Sequence, residues 1–278
     1  MTFKKTAFLF LCALVLVGCR YEVSPWETDP HCSQKVSIAY NIERLKQFEQ
    51  KVGTRTEYQV VLVSDPQAYP KSFDRIIQHI NGMENVDFIL LTGDLADSGL
   101  KTEFEWVCDI MEKSDKPIFV AIGNHDSLAF GKKIWAKTFG KKIWAKTFGP
   151  TDYSFTYQNS KFIGYNDNQY EFANVPDRDW LKEQTAQSES RDYTFVFSHI
   201  PPWDKNFSQE LKDMDVDLSL HGHTHNYRYW QYSEVKLPHF VTANTQKAIF
   251  GLLTVSQAGL TVEHCINYRC ETAQLENR

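Results

Sequence analysis

The sequence predicts an α/β protein with two sheets packed together and helices on the outside. Three observations lead there. From Tyr58 to Gly123, short apolar runs alternate with amphipathic helical patterns, and continuous apolar strands between helices are covered on both faces, as in a layered core. From Tyr153 onward, short β-type runs dominate. The 278 residues, 42% hydrophobic and 23% charged, suffice for a sizeable core and make disorder unexpected.

The first elements belong to targeting. Lys4 and Lys5 precede the apolar run 7-AFLFLCALVLV-17, then Gly18 and Cys19. At ~1.5 Å per residue this run is too short for a ~30 Å hydrocarbon core, so residues 1–18 read as a signal peptide. The ending Leu16-Val17-Gly18-Cys19 resembles the bacterial lipobox. That resemblance implies cleavage before Cys19, lipidation of Cys19 and a lipid-anchored protein of the cell envelope. Arg20, rather than Asp, after the cysteine favours the outer membrane, facing the periplasm, by analogy with enterobacterial sorting. An ordinary secretory signal with a chance cysteine is the alternative.

Residues 19–56 read as a tether carrying Pro25 and Pro30, then a helix with Ile42, Leu45 and Phe48 on one face up to Gly53. The main domain is assigned to 57–265 and a C-terminal tail to 266–278. Within the domain, strands are expected at 58–64, 86–92 and 117–123, with helices at 72–80 and 100–113 between them. Phe104, Val107, Cys108 and Met111 share a face of the second helix. Further strands fall at 153–158, 161–166, 193–198 and 216–221, then near 226–232, 238–243, 247–255 and 259–264. A helix carries Trp180 and Leu181, and Gln257-Ala258-Gly259 makes a hairpin turn. The nine residues 132-KKIWAKTFG-140 recur at 141–149. Nine residues turn a helix by ~900°, half a turn out of phase, so Ile134 and Ile143 would face opposite sides of one straight helix. Gly140 would weaken it further. The repeat reads as a recent duplication or a sequencing artefact, lodged in a tolerant surface segment.

Of six cysteines, Cys12 leaves with the signal and Cys19 would be lipidated. Cys32, Cys108, Cys265 and Cys270 remain, and one or two disulfides are expected in an oxidising compartment. Cys108 on its helix face could equally be a buried thiol. No Cys-x-x-Cys occurs, so a zinc ribbon or thioredoxin-type motif is not supported. The formal charge is −5 and no basic stripe is visible, which argues against nucleic acid as a partner.

The chemistry sits where strands end. Successive apolar runs end in 64-SDPQ-67, 93-GDLAD-97, 123-GNHD-126, 198-SHIPPW-203 and 221-HGHTH-225. In open α/β sheets the C-terminal strand edge is where ligands bind. Carboxylates, imidazoles and amide oxygens without thiolates suit Mn, Fe, Zn or Mg. There are enough of them for two ions, which can clamp a phosphoryl group when Asp94 bridges.

These five blocks, in this order over roughly 57–265, resemble the calcineurin-like metallophosphoesterase superfamily. The resemblance implies an α-β-β-α two-sheet sandwich with a dinuclear metal site at the C-terminal ends of the strands. One ion would be held by Asp65, Gln67, Asp94 and His225, and the other by Asp94, Asn124, His199 and His223. His125 would be the general acid, with Asp97 orienting it through its carboxylate. A metal-bridging hydroxide would attack the phosphorus of a small phosphate mono- or diester. Gln67 departs from the pattern, which has His there. Its amide oxygen would favour Mn or Fe over Zn, or it does not ligate and water takes its place. A cyclic-nucleotide diesterase or nuclease on this scaffold is an alternative reading, as is a lipoprotein that binds a phosphorylated ligand without turnover.

The remaining groups receive plainer readings. His31, His79, His239 and His264 are surface or structural. Asp126 bonds within its loop. Pro201, Pro202 and Trp203 shape a loop or line the substrate mouth, where Trp203 could stack on an aromatic leaving group. Asn166 and Asp167 are possible rim residues, with Tyr69 and Tyr170 weaker ones. If 221–225 stays extended, His221, His223 and His225 project to one side, with His221 a structural neighbour of the two ligands.

Overall fold

The structure is a computed structural model that describes residues 27–128, 136–186 and 191–278. The signal peptide at 1–18 and the lipidation site Cys19 lie outside the described residues. No helix among the described residues is long and apolar enough to cross a membrane.

Two sheets form the core. In the first, β1 (Glu57–Val63), β2 (Val86–Leu91) and β3 (Ile118–Val120) run parallel. They are joined by α2 (Pro70–Asn81) and α3 (Lys101–Met111), as parallel crossovers require. β10 (Phe250–Ser256), β11 (Gly259–Ile266) and β12 (Arg269–Thr272) extend this sheet antiparallel from β1, and the turn at 257–258 joins the hairpin as expected. The second sheet has the order β13-β8-β9-β7-β6-β5-β4. Its strands are β4 (Tyr153–Tyr157), β5 (Ser160–Gly164), β6 (Tyr193–Phe197), β7 (Leu218–His221), β8 (Arg228–Gln231), β9 (His239–Val241) and β13 (Glu276–Asn277).

Apolar periodicity explains how the layers close. All six residues of β2 are buried, as a strand covered on both faces must be. Between the sheets, Phe88 of β2 meets Phe155, Tyr157 and Phe162 of the second sheet edge-on, with centroids 5.1–5.7 Å apart, the arrangement aromatic quadrupoles favour. On the outside, α2 buries Phe73, Ile76, Ile77 and Ile80. Beyond the second sheet, Ile163 and Val196 pack with Leu181 of α5 (Arg178–Ala186) and with Phe207 and Leu211 of α6 (Lys205–Asp213). The α-β-β-α sandwich is thereby complete.

Several expectations change. Helix α6 was not anticipated, although Asp204 accepts from Asn206 N at its start and Phe207 and Leu211 are four apart on one face. The repeat is not a tolerant surface segment throughout. Helix α4 (Ala136–Thr147) runs through Gly140, and the second copy buries Ile143, Trp144 and Phe148 almost completely. Packing of that apolar face outweighs the glycine's cost. Residues 266–278, set apart as a tail, supply β12 to one sheet and β13 to the other.

The segment before the main domain is fastened to it. Helix α1 (Ile38–Val52) is capped by the Ser37 hydroxyl, which accepts from Tyr40 N at 3.3 Å. Cys32 is bonded to Cys108 across 76 residues, so Cys108 is a buried half-cystine and not a free thiol. Cys265 is bonded to Cys270 across the β11–β12 hairpin. Closing a loop that long restricts the unfolded chain, so Cys32→Ser with Cys108→Ser is expected to cost roughly 2–4 kcal/mol. Denaturant unfolding of the oxidised and doubly substituted proteins checks this.

Candidate metal centre

Each block follows a strand end: β1, β2 and β3 of one sheet, and β6 and β7 of the other. The loops must turn sharply to bring their side chains inward. Asp65, Asp94, His223 and His225 all adopt positive φ, at 53°, 52°, 71° and 55°. Such angles are costly for residues other than glycine and collect at functional sites. They also correct the expectation of an extended 221–225. His221 ends its strand and is buried, with its ring against the Ser198 and Ser219 hydroxyls. Only His223 and His225 turn toward the carboxylates.

Two carboxylate–imidazole groups result, Asp94 with His199 and His223, and Asp65 with Asp94 and His225. In each, the potential ligand atoms lie within 4.8 Å of one another, and Asp94 belongs to both. His199 Nε2 is 3.2 Å from Asp94 Oδ2 and 3.2 Å from His223 Nδ1. His225 Nε2 is 3.2 Å from Asp65 Oδ1. The backbone carbonyl of Thr92 lies 2.8 Å from His199 Nδ1. It accepts that ring proton and leaves Nε2 for the centre, a partner no sequence pattern reveals.

The protonation of this cluster follows from burial and proximity. Burial opposes charge on His199, yet Asp94 beside it raises the imidazole to about 10. Asp94 is disfavoured as an anion by burial, and His199 nevertheless holds it below the usual carboxylate range. Burial and the His199 charge lower His223. The hydrogen bond to Asp65 raises His225.

The donor set fits divalent cations. Gln67 Oε1 and Asn124 Oδ1 are buried and have no hydrogen-bond partner. Leaving amide oxygens desolvated and unpaired is costly, and coordination to a cation would relieve it. Gln67 therefore offers the oxygen that a ligand at this position requires, and its own N–H donates to the Asp94 carbonyl at 3.2 Å.

His125 stands at the edge of this cluster, with its side chain about a third exposed. Its backbone N–H donates to Asp94 Oδ1 at 3.0 Å. Its Nδ1 lies 2.6 Å from the carbonyl oxygen of Asp97 but 3.9 Å from the Asp97 carboxylate. Asp97 thus meets the ring chiefly through its backbone carbonyl, with its carboxylate at ion-pair distance. Asp126 is loop-bound as expected. It accepts from Ala96 N and Gly123 N, both at 2.8 Å, tying the two central loops together. Burial, with the Asp94 charge next, pushes it up to about 8.

Two glycines permit the close approach of these loops. A Cβ on Gly222 would fall 1.7 Å from Ser64 Oγ, and one on Gly123 would fall 2.1 Å from Asp94 Oδ1. Gly123→Ala must displace the shared carboxylate, and a misplacement near 1 Å can cost about 10²-fold in rate. Steady-state kinetics of Gly123→Ala beside its thermal midpoint checks this, with turnover falling and the fold retained.

The other histidines lie outside both groups. His79 lies tilted against Tyr268, His264 stacks on Tyr227, and His239 meets Ser208 Oγ at 2.7 Å. His31 is exposed. Tyr69 precedes helix α2 and Tyr170 is exposed. Asn166 N donates to Asp152 Oδ1, and Asp167 Oδ2 accepts from Ile200 N at 2.8 Å.

Comparison with known proteins agrees with this geometry. The family model described as calcineurin-like phosphoesterase matches residues 58–227. A probable cyclic nucleotide phosphodiesterase of Fibrobacter succinogenes is 23% identical over 142 residues, covering 46% of this chain and 52% of that protein. The chain thus spans about half the length of this curated relative. The purple acid phosphatase of yellow lupin (Lupinus luteus) seeds superposes with a TM-score of 0.62 at 13% identity, over 81% of this chain and 54% of that one. GAP50, described as the anchor in the inner membrane complex of Plasmodium, gives 0.55 at 14% identity, over 79% and 88%. These two likenesses show the shared fold. With the family model matched across all five strand-end blocks, the chain belongs to the calcineurin-like phosphoesterases.

Proposed function

We propose that this chain hydrolyses small phosphate mono- or diesters at a two-ion centre, with His125 delivering the proton to the leaving oxygen. Asp65, Gln67, Asp94 and His225 would hold one ion, and Asp94, Asn124, His199 and His223 the other. The observation that carries this reading is the pair of carboxylate–imidazole groups sharing Asp94. Divalent ions there would supply positive charge for the phosphoryl oxygens and activate water near neutral pH. Mn or Fe is favoured at the Gln67 position, because an amide oxygen is a harder ligand than imidazole.

The chain's own residues do the rest. The Thr92 carbonyl keeps His199 Nε2 turned toward Asp94. Asp126 locks the two central loops in register. The Asp97 carbonyl accepts the Nδ1 proton of His125, so His125 Nε2 is the nitrogen presented to substrate. A proton donor held there shortens the path to the leaving oxygen.

A cyclic-nucleotide diesterase activity is a second reading, favoured by similarity to the Fibrobacter protein. Residues 1–18 and Cys19 support a further proposal, a lipid anchor placing the enzyme in the bacterial envelope, on the periplasmic face of the outer membrane. Assaying phosphomonoesters, diesters and cyclic nucleotides with Mn added tests the activity. Turnover abolished by chelation and restored by Mn is expected. Equal turnover after exhaustive chelation would overturn the reading.

A further inference from the structure

One residue beyond His199 a cleft of ≈ 260 Å³ begins, walled by Ile200, Pro202, Trp203, Phe207 and Tyr170, with Asp167 in its lining. Whole small-molecule sites run to about 300–1,000 Å³, so this cleft suits one ring-sized part of a substrate. It lies directly beside the metal centre in the chain, and Asp167 Oδ2 in its lining accepts at 2.8 Å from the backbone N–H of Ile200, the residue after His199.

The walls are rigid and flat. Trp203 lies parallel to the buried Trp230, 5.8 Å away and 5° from coplanar. Its carbonyl accepts from the Tyr232 hydroxyl at 2.7 Å. The indole is nonetheless 44% exposed. Prolines at 201 and 202 restrict the backbone that carries it. Arg228 and Arg278 also approach the ring, 5.8 and 5.9 Å from its centroid, so the indole is held by its neighbours, and the part that lines the cleft is a platform that loses little entropy on binding.

The carboxyl groups of the lining disfavour an anionic occupant. Arg178, the cation in the lining, is paired with Glu210 at 2.8 Å and lies over the Phe207 ring. Asp167 is 7% exposed and Asp204 also lines the cleft. Asp167 Oδ2 accepts from Ile200 N at 2.8 Å, and the carboxyl also meets the Ser198 hydroxyl.

We infer that this cleft receives the aromatic, uncharged alcohol portion of the phosphoester, stacked on Trp203, and so sets the enzyme's preference for aryl over alkyl esters. The inference rests on the proposed function for the identity of the neighbouring centre. Its test does not depend on turnover. Phenylphosphonate and methylphosphonate are titrated into the purified protein with Mn added, by calorimetry. The wild type is expected to bind the phenyl compound roughly tenfold or more tightly, and Trp203→Ala to reduce that ratio to about twofold. Trp106→Ala, on α3 and 56% exposed, should keep the ratio. Should Trp203→Ala unfold, Tyr170→Ala at an exposed wall position is expected to lower the ratio in the same sense. Equal affinities in the wild type, or a full phenyl preference in folded Trp203→Ala and Tyr170→Ala, would overturn the inference. A phenyl preference lost on Trp203→Ala in a protein without turnover would support the cleft and count against the catalytic reading alone.

Discussion

Asp94→Ala is expected to abolish measurable hydrolysis, by on the order of 10³-fold or more, and to lose bound metal with it. The reason is that this carboxylate is shared. It belongs to both ligand groups, lies 3.2 Å from His199 Nε2 and accepts the His125 N–H. Removing it also removes the carboxylate charge beside the buried His199 imidazole. Asp94→Asn separates charge from shape. It can keep the bond from His125 N but offers no anion to bridge two cations, and it should lose activity nearly as far. Metal content, turnover and thermal midpoint measured together check this. Thermal unfolding near the wild-type value would show that the loss is local.

His125→Ala is expected to reduce turnover by about 10²–10⁴-fold, the usual share of a general acid, while leaving metal content unchanged. His125 belongs to neither ligand group, and its bond to Asp94 comes from its backbone, which alanine retains. The deficit should depend on the leaving group. A nitrophenolate leaves without protonation, so its ester should lose the least, and an alkyl ester should lose the most. A uniform loss across leaving groups, or loss of metal, would assign His125 a structural role.

Much of the fold and of the site was legible because strand ends carry both signals. The apolar runs before Asp65, Asp94, Asn124, His199 and His223 named the strands, and the polar residues after them named the candidate ligands that the fold gathers. Backbone groups were not legible. The Thr92 carbonyl orients His199 and the Asp97 carbonyl orients His125, and a carbonyl is present at every residue whatever the sequence. The left-handed angles at His223 and His225 were hidden for a related reason. Alternate spacing suggested a strand, whereas the loop bends so that two histidines reach the carboxylates and His221 stays in the core. Helix α6 was missed because its apolar face is short and follows two prolines. The buried second copy of the repeat was misjudged because local propensity could not show the aromatic contacts of Trp144 and Phe148 with each other and the core.

The central claim is a two-ion centre organised by Asp94. Elemental analysis of the purified protein, after saturation with Mn and removal of free metal, tests it most directly. Two ions per chain are expected in the wild type and in His125→Ala, and fewer than one in Asp94→Ala. A single ion in the wild type, or two ions retained by Asp94→Ala, would contradict the account.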